Sequence, residues 1–131
     1  MAEITSELRT FLLNNTAISS AFGTRIYVNK TPDEMTYPFG LIKRVYENPI
    51  HTQDGRFGYE AMAQIEVYDE ALSDCITNAN LIFNLLDGYK GVMGSTQIGS
   101  VFMGNKRDEW APDSRHYRCL MEAEIKWTDY G

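Results

Sequence analysis

Two histidines, two cysteines and one glycine-rich run are the residues of this chain whose types are suited to chemistry. A histidine acts as a general base when it stands beside a nucleophile and an orienting carboxylate. His51 has Thr52 and Asp54 close by, which could form a dyad but is more simply the composition of a solvated loop. His116 follows Asp113, Ser114 and Arg115 at the start of a strand. The two-residue period of a strand lets Ser114 and His116 share a face, yet nothing marks the serine as activated. The run 88–94 offers Gly88, Gly91 and Gly94, and the backbone amides of such turns can cradle a phosphate. It follows a helical stretch instead of preceding one, and no Lys stands directly before Ser or Thr, so it reads as a turn. Cys75 and Cys119 lack CxxC spacing and sit among apolar residues, which predicts two buried thiols in a reducing compartment. Asp33-Glu34 and Asp108-Glu109 are adjacent pairs in loop-like stretches and do not aim inward together easily. No catalytic, cofactor-binding or metal-ligating residue is therefore assigned, and no cofactor is expected.

The elements that position these residues must fit a chain of 131 residues and 15.0 kDa, one domain's worth of sequence. A two-domain enzyme is excluded. With 44% hydrophobic and 23% charged residues, such a chain buries roughly two thirds of its unfolded surface and folds without metals or disulfides. The formal net charge of −6 and pI near 4.8 speak against a surface built to neutralise phosphates. An acidic surface can still serve DNA by keeping a moving duplex from sticking. The N-terminus, Met1-Ala2-Glu3-Ile4, has no basic start leading into an apolar run, so neither a signal peptide nor a membrane span is expected.

Apolar residues at Ile4, Leu8, Phe11 and Leu12 predict a first helix, stopped at Asn14-Asn15. Thr16 opens a short further turn carrying Ile18 and Phe22 and ended by Gly23, after which residues 25–28 alternate as a strand. Pro32 and Pro38 make 29–38 an irregular connection, and a strand follows from Phe39 to about Tyr46. Residues 48–58 contain Pro49, Asp54-Gly55 and Gly58 and read as a long surface loop, the first place to look for a binding surface. Residues 59–68 alternate, with Ala61, Ala63, Ile65 and Val67 on one face and Glu60, Met62, Gln64 and Glu66 on the other. The stripe Leu72, Cys75, Ile76, Ala79, Ile82, Phe83 and Leu86 predicts a long helix that lays Cys75 against the sheet. A strand over 97–103, a charged loop over 104–114 with Trp110 and Pro112, and a last strand complete the chain. That strand sets Tyr117, Cys119, Met121, Ala123, Ile125 and Trp127 against His116, Arg118, Glu122, Glu124 and Lys126, with Leu120 the exception.

The expected fold is α+β: a mostly antiparallel sheet of four main strands plus one short strand near Ile26, with two α-helices packed on one face. The other face is left to solvent or to a neighbour. If the strands bearing Glu60, Glu66, Glu122 and Glu124 are adjacent, these carboxylates form an acidic patch, which is either an ordinary wet sheet face or a surface that repels phosphate along a pore.

The order of the leading helix, Gly23-Thr24-Arg25-Ile26-Tyr27, Tyr37-Pro38-Phe39-Gly40-Leu41-Ile42, Gln64-Ile65-Glu66-Val67-Tyr68, the long helix and Leu86-Asp87-Gly88-Tyr89 resembles the tail-completion, or tail-terminator, proteins of long-tailed bacteriophages. The resemblance runs from about Ile4 to Trp127, so residues 1–131 are expected to be a single domain of that kind. It implies a virion structural protein without enzymatic activity, assembled in the host cytoplasm and located at the head-tail interface. Its copies would form a ring, usually a hexamer, that caps the head-proximal end of the tail tube, ends tube growth and presents a docking surface for head-tail joining. The implied partners are further copies of itself, the tail tube protein and the head connector or completion protein, with DNA passing transiently through the lumen and no membrane. Six copies at −6 each carry −36 formal charges, which suits an acidic, non-stick channel. Ring closure requires heterologous contacts, for which unpaired sheet edges are candidates. The loop 48–58 is then the expected docking element, with His51, Asp54, Arg56 and Phe57, and Trp110 a further anchor or else a half-buried core residue. Glu60, Glu66, Glu122 and Glu124 are the candidate lumen face. Two other readings remain: a small cytoplasmic α+β ligand-binding domain or enzyme using His116 or the 88–94 loop, and a generic adaptor domain.

Overall fold

A computed structural model of the chain describes residues 3–52 and 55–128, with the backbone alone at 52, 56 and 57. Helix α1, Ile4–Leu13, forms where the apolar spacing predicts and buries Ile4, Leu8 and Leu12. Its first turn is satisfied by the Glu3 carboxylate, which accepts from the amides of Thr5 at 3.1 Å and Ser6 at 3.0 Å. Helix α2, Thr16–Phe22, begins with the Asn15 side chain accepting from the Ile18 amide at 3.1 Å and ends at Gly23, whose φ of +63° suits glycine. Helix α3, Leu72–Leu86, turns Cys75, Ala79, Ile82 and Leu86 inward.

The strands are β1 Ile26–Val28, β2 Phe39–Thr52, β3 Gly55–Asp69, β4 Gly91–Met93, β5 Thr96–Ala111 and β6 His116–Thr128. They form one sheet in the order β1-β2-β3-β6-β5-β4. Only β1 and β2 run parallel; every other neighbouring pair is antiparallel. The α+β class and the mostly antiparallel sheet agree with the sequence reading, while the counts are corrected, among the described residues, to three helices and six strands. The short turn at Thr16 is a full helix, and the glycine-rich run contributes β4.

Two further corrections concern the long loops. Residues 48–58 are not a surface loop: β2 and β3 stay paired out to Thr52↔Gly55, making a protruding hairpin. Residues 104–111 likewise belong to β5, which stays in register with β6 to Ala111↔His116. Pro49, the glycines and the charge run hid these strands. Proline is admissible beside an edge, and charged residues are admissible where a strand has no core beneath it.

Helix α3 packs on β3, β5 and β6 and α1 on β1, β2 and β4, with α2 against both helices, over a core that includes the inward residues Ala61, Ala63, Ile65, Met121, Ala123 and Ile125. Helix α1 touches both β1 and β4, the two edge strands, so the sheet curls around it. The Phe11 and Tyr89 rings, 4.6 Å apart, mark its approach to the turn leading into β4. Among the described residues no helix lies on the opposite face of the sheet, and the candidate surfaces lie there and along the sheet edges.

Candidate functional site

Alternation along β2, β3 and β6 delivers one set of side chains to the helix-free face, and register decides which of them meet. Leu41, Glu66 and Leu120 stand in one cross-strand row, and Phe39, Tyr68 and Arg118 in the next. Glu66 is 0% exposed even though no helix covers it. Buried Leu41 and Leu120 flank it, which explains the apolar exception on that side of β6.

A buried carboxylate must be paired and hydrogen-bonded. Lys43 Nζ lies 3.1 Å from Glu66 Oε2, and Arg118 lies 3.3 Å from Oε1. The Tyr68 hydroxyl donates to Oε1 at 2.5 Å and the Gln64 amide to Oε2 at 3.2 Å. Burial pushes the Glu66 pKa up, but the hydrogen bonds from Tyr68, Lys43 and Gln64 and the Lys43 charge outweigh it, and the net shift is downward. Tyr68 is pushed up to about 12 by burial and by its bond to Glu66. Arg118 also binds Glu109 of β5, extending the network across four strands.

This network was not foreseen in the sequence. Glu66 differs from the expected solvated acid, because register brings Lys43 and Arg118 to it from other strands. The remaining acids of the candidate lumen face lie on the same side, Glu124 exposed and Glu60 and Glu122 half-buried. Glu60 stands opposite Lys126, Glu122 opposite Gln64, and Glu124 opposite Met62. The Asn105 amide donates to Glu122 at 2.9 Å. Beside these acids a shallow cleft of about 180 Å³ is lined by Met62, Phe102, Gly104 and Glu124 among others. Phe102, 59% exposed, and Tyr46, 41% exposed, stand at the ends of the row Tyr46, Met62, Glu124, Phe102, an apolar stripe among charges.

Of the expected docking residues, His51 is exposed on β2 opposite Arg56 of β3, near the hairpin tip. Arg56 and Phe57 are placed on β3 by their backbone, and Asp54 lies outside the described residues. Trp110 is 47% exposed on β5, its ring 4.7 Å from that of Tyr117. These residues do not form one cluster: the hairpin tip and Trp110 belong to different strands and opposite ends of the sheet.

The enzyme-like alternatives also acquire definite positions. His116 Nδ1 is 2.8 Å from the Tyr37 hydroxyl, and its ring meets that of Tyr68 edge-on. Burial and the nearby Arg118 charge lower its pKa. Ser114 is exposed in the turn before β6. Gly91 and Gly94 of the glycine-rich run have φ of +148° and +62° and shape the β4 turn, which the Tyr89 hydroxyl braces by donating to the Val92 carbonyl at 2.8 Å. Cys75 and Cys119 are both free and buried, and Cys75 Sγ donates to the Val67 carbonyl at 3.2 Å. The Cys119 thiol is held protonated by its hydrogen bond with Cys75 and by burial. Among the described residues no group of three His, Cys, Asp or Glu side chains is placed to hold a metal ion. No helix among them is long and apolar enough to cross a membrane.

No protein-family model matches the sequence, and no curated protein matches it. The fold has a counterpart among solved structures, in a chain of the "Virion of native gene transfer agent (GTA) particle". The two superpose with a TM-score of 0.73 over 93% of this chain and 92% of that one, at 12% sequence identity. The likeness is one of fold, spanning almost the whole of both chains.

Proposed function

We propose that this chain is a virion structural protein of a phage-like particle: a single-domain tail-completion protein that caps the head-proximal end of the tail tube as a ring. The observation that carries the reading is the near-complete fold correspondence with a chain of a gene transfer agent virion. The sequence resemblance to tail-completion proteins supports it independently. In this role the protein needs surfaces and no catalytic centre. It ends tube growth by covering the last tube ring, and it offers the head connector a new docking surface.

The protruding β2–β3 hairpin supplies the tube or connector contact through His51, Arg56 and Phe57, with Asp54 of the intervening sequence, and Trp110 a second anchor. Glu60, Glu122 and Glu124 face the DNA path, where a surface that does not bind phosphate lets the duplex move. Glu66 stands in the same face but is neutralised by its two cations, so it shapes that face without adding free charge.

Assembly of particles with the chain omitted, or with the hairpin shortened between Ile50 and Phe57, tests the reading. Tubes should then grow past their normal length and fail to join heads, and the intact chain should restore both. Normal particle yield from either preparation would contradict it.

A further inference from the structure

The two outer strands that carry the sheet's length are each covered over only part of that length. Strand β1 pairs with β2 only from Gly40 to Ile42, and the Asn29 amide closes that contact on the Ile42 carbonyl at 2.9 Å. Strand β4 pairs with β5 only from Thr96 to Ile98. The α3 terminus extends that cover a little further, since the Gly88 amide bonds the Val101 carbonyl at 2.8 Å and Asp87 accepts from the Met103 amide at 3.1 Å. Among the described residues no strand pairs with the outer side of β2 beyond Ile42 or of β5 beyond Met103. Two long edges, 43–52 and 104–111, are thus left open on opposite sides of the sheet, and an open edge is a template for another strand.

We propose that the open edge of β2 in one copy pairs antiparallel with the open edge of β5 in the next copy, so that the sheets of neighbouring subunits join. This rests on the ring reading above and gives the ring its contact. Three features of the edges point to a second copy of this chain as the occupant.

Direction is the first. The chain of antiparallel pairs from β2 through β3 and β6 to β5 makes β2 and β5 run oppositely, so copies set side by side with their helices on the same side meet antiparallel. The second is face. Lys43 and Tyr46 stand opposite Gln64 and Met62 on the helix-free face, Arg44 and Glu47 opposite Ala63 and Ala61 on the helix side, with Val45 at the register shift between them. On β5, Glu109 and Arg107 stand opposite Arg118 and Leu120 on the helix-free face, and Asp108 opposite Cys119 on the helix side. Lys106 is on the helix side too, bound to Asn80 and 4.7 Å over the Phe83 ring of α3.

Charge is the third. An antiparallel pairing that keeps Val45 as a bulge, as it is against β3, sets Lys43 against Glu109 and Arg44 against Asp108 on one side of the bulge and Tyr46 against Arg107 and Glu47 against Lys106 on the other. Every pair keeps both members on one face, as directly opposed residues must be. Three pairs join opposite charges and the fourth lays a guanidinium on a tyrosine ring. Sliding by one residue breaks the agreement of faces, and sliding by two sets Lys43 against Arg107 and Arg44 against Lys106. The charges that guard these edges against promiscuous pairing therefore also specify one partner. The contact is heterologous, β2 against β5, the kind of contact that makes a ring where the rotation between successive copies closes.

Charge reversal at one pair tests this, read as ring mass by sedimentation alone and as ring occupancy on purified tail tubes. Glu47→Lys and Lys106→Glu should each weaken ring association about tenfold or more, since each creates a like-charge contact, and the double reversal should restore it. Rings that form in the unaltered protein and persist in both single variants would overturn the edge pairing while leaving the ring reading intact. An unaltered protein that forms no ring, alone or on tubes, would overturn both. Because Lys106 also touches α3, a second variant guards against a folding defect. The Glu47→Cys, Lys106→Cys chain, oxidised with glutathione disulfide, should give a ladder of covalent multimers up to the closed ring. Rings that yield only monomers after this treatment would contradict the pairing.

Discussion

Glu66 is the residue on which the helix-free face turns. Its alternation partners Glu60, Met62 and Gln64 mark that side of β3 as polar, and so much is legible in the sequence. What is not legible is that β2 and β6 bring Lys43 and Arg118 to its two oxygens, because register between distant strands has no local signature. Removing the carboxylate takes the shared acceptor from Tyr68, Gln64 and two partly exposed cations, of which Arg118 keeps Glu109, so Glu66→Ala should cost about 1–3 kcal/mol in chemical denaturation. The pH dependence follows from the sign of the shift. The folded-state pKa lies below the ordinary 4.5, so Glu66 contributes stability that is present above that value and lost as pH falls through the folded value. Stability should therefore decline on acidification below about pH 4.5, and Glu66→Gln should flatten that decline. Tyr68 works at the other limit: raised from 10.0 to about 12, it contributes stability below pH 10 that is lost as pH rises toward 12. A midpoint that does not move between pH 7 and pH 3 would contradict the role given to Glu66.

At the scale of elements, the parts with a core beneath them were readable and the overhangs were not. Helices α1 and α3 and the central lengths of β3 and β6 show their period because one side of each is buried. The outer reaches of β2 and β5 have polar residues on both faces, and Pro49 and the 106–109 charge run mimic loop chemistry. Pairing with a neighbouring strand, and not burial, makes them strands. Gly58 is where that pairing is tightest. A Cβ there would lie 2.4 Å from the Trp127 carbonyl oxygen, a backbone atom that can move only with β6. Gly58→Ala should therefore cost about 1–3 kcal/mol. Gly104→Ala, on the same sheet with nothing within 4 Å of the added atom, should stay within about 0.5 kcal/mol of the parent. Equal melting curves for the two variants would show that the hairpin is looser than the register implies.

For the whole molecule, the arrangement is a curled sheet with its helices gathered on one side, one face open, a hairpin reaching beyond the core and two edges unfilled. A subunit designed to stand alone covers or shortens such edges; one designed to be completed by its neighbours keeps them. The uncovered sheet face and the negative charge were readable before the fold, and the order of motifs resembled tail completion. The edges were not, because they exist only once β1 and β4 are seen to cover so little of β2 and β5. The measurement that tests the account most directly is the mass and shape of the purified protein, by light scattering and negative-stain microscopy, alone and with tail tubes. The account predicts a closed ring, free or assembled at one tube end. A monomer that never engages tubes would contradict it.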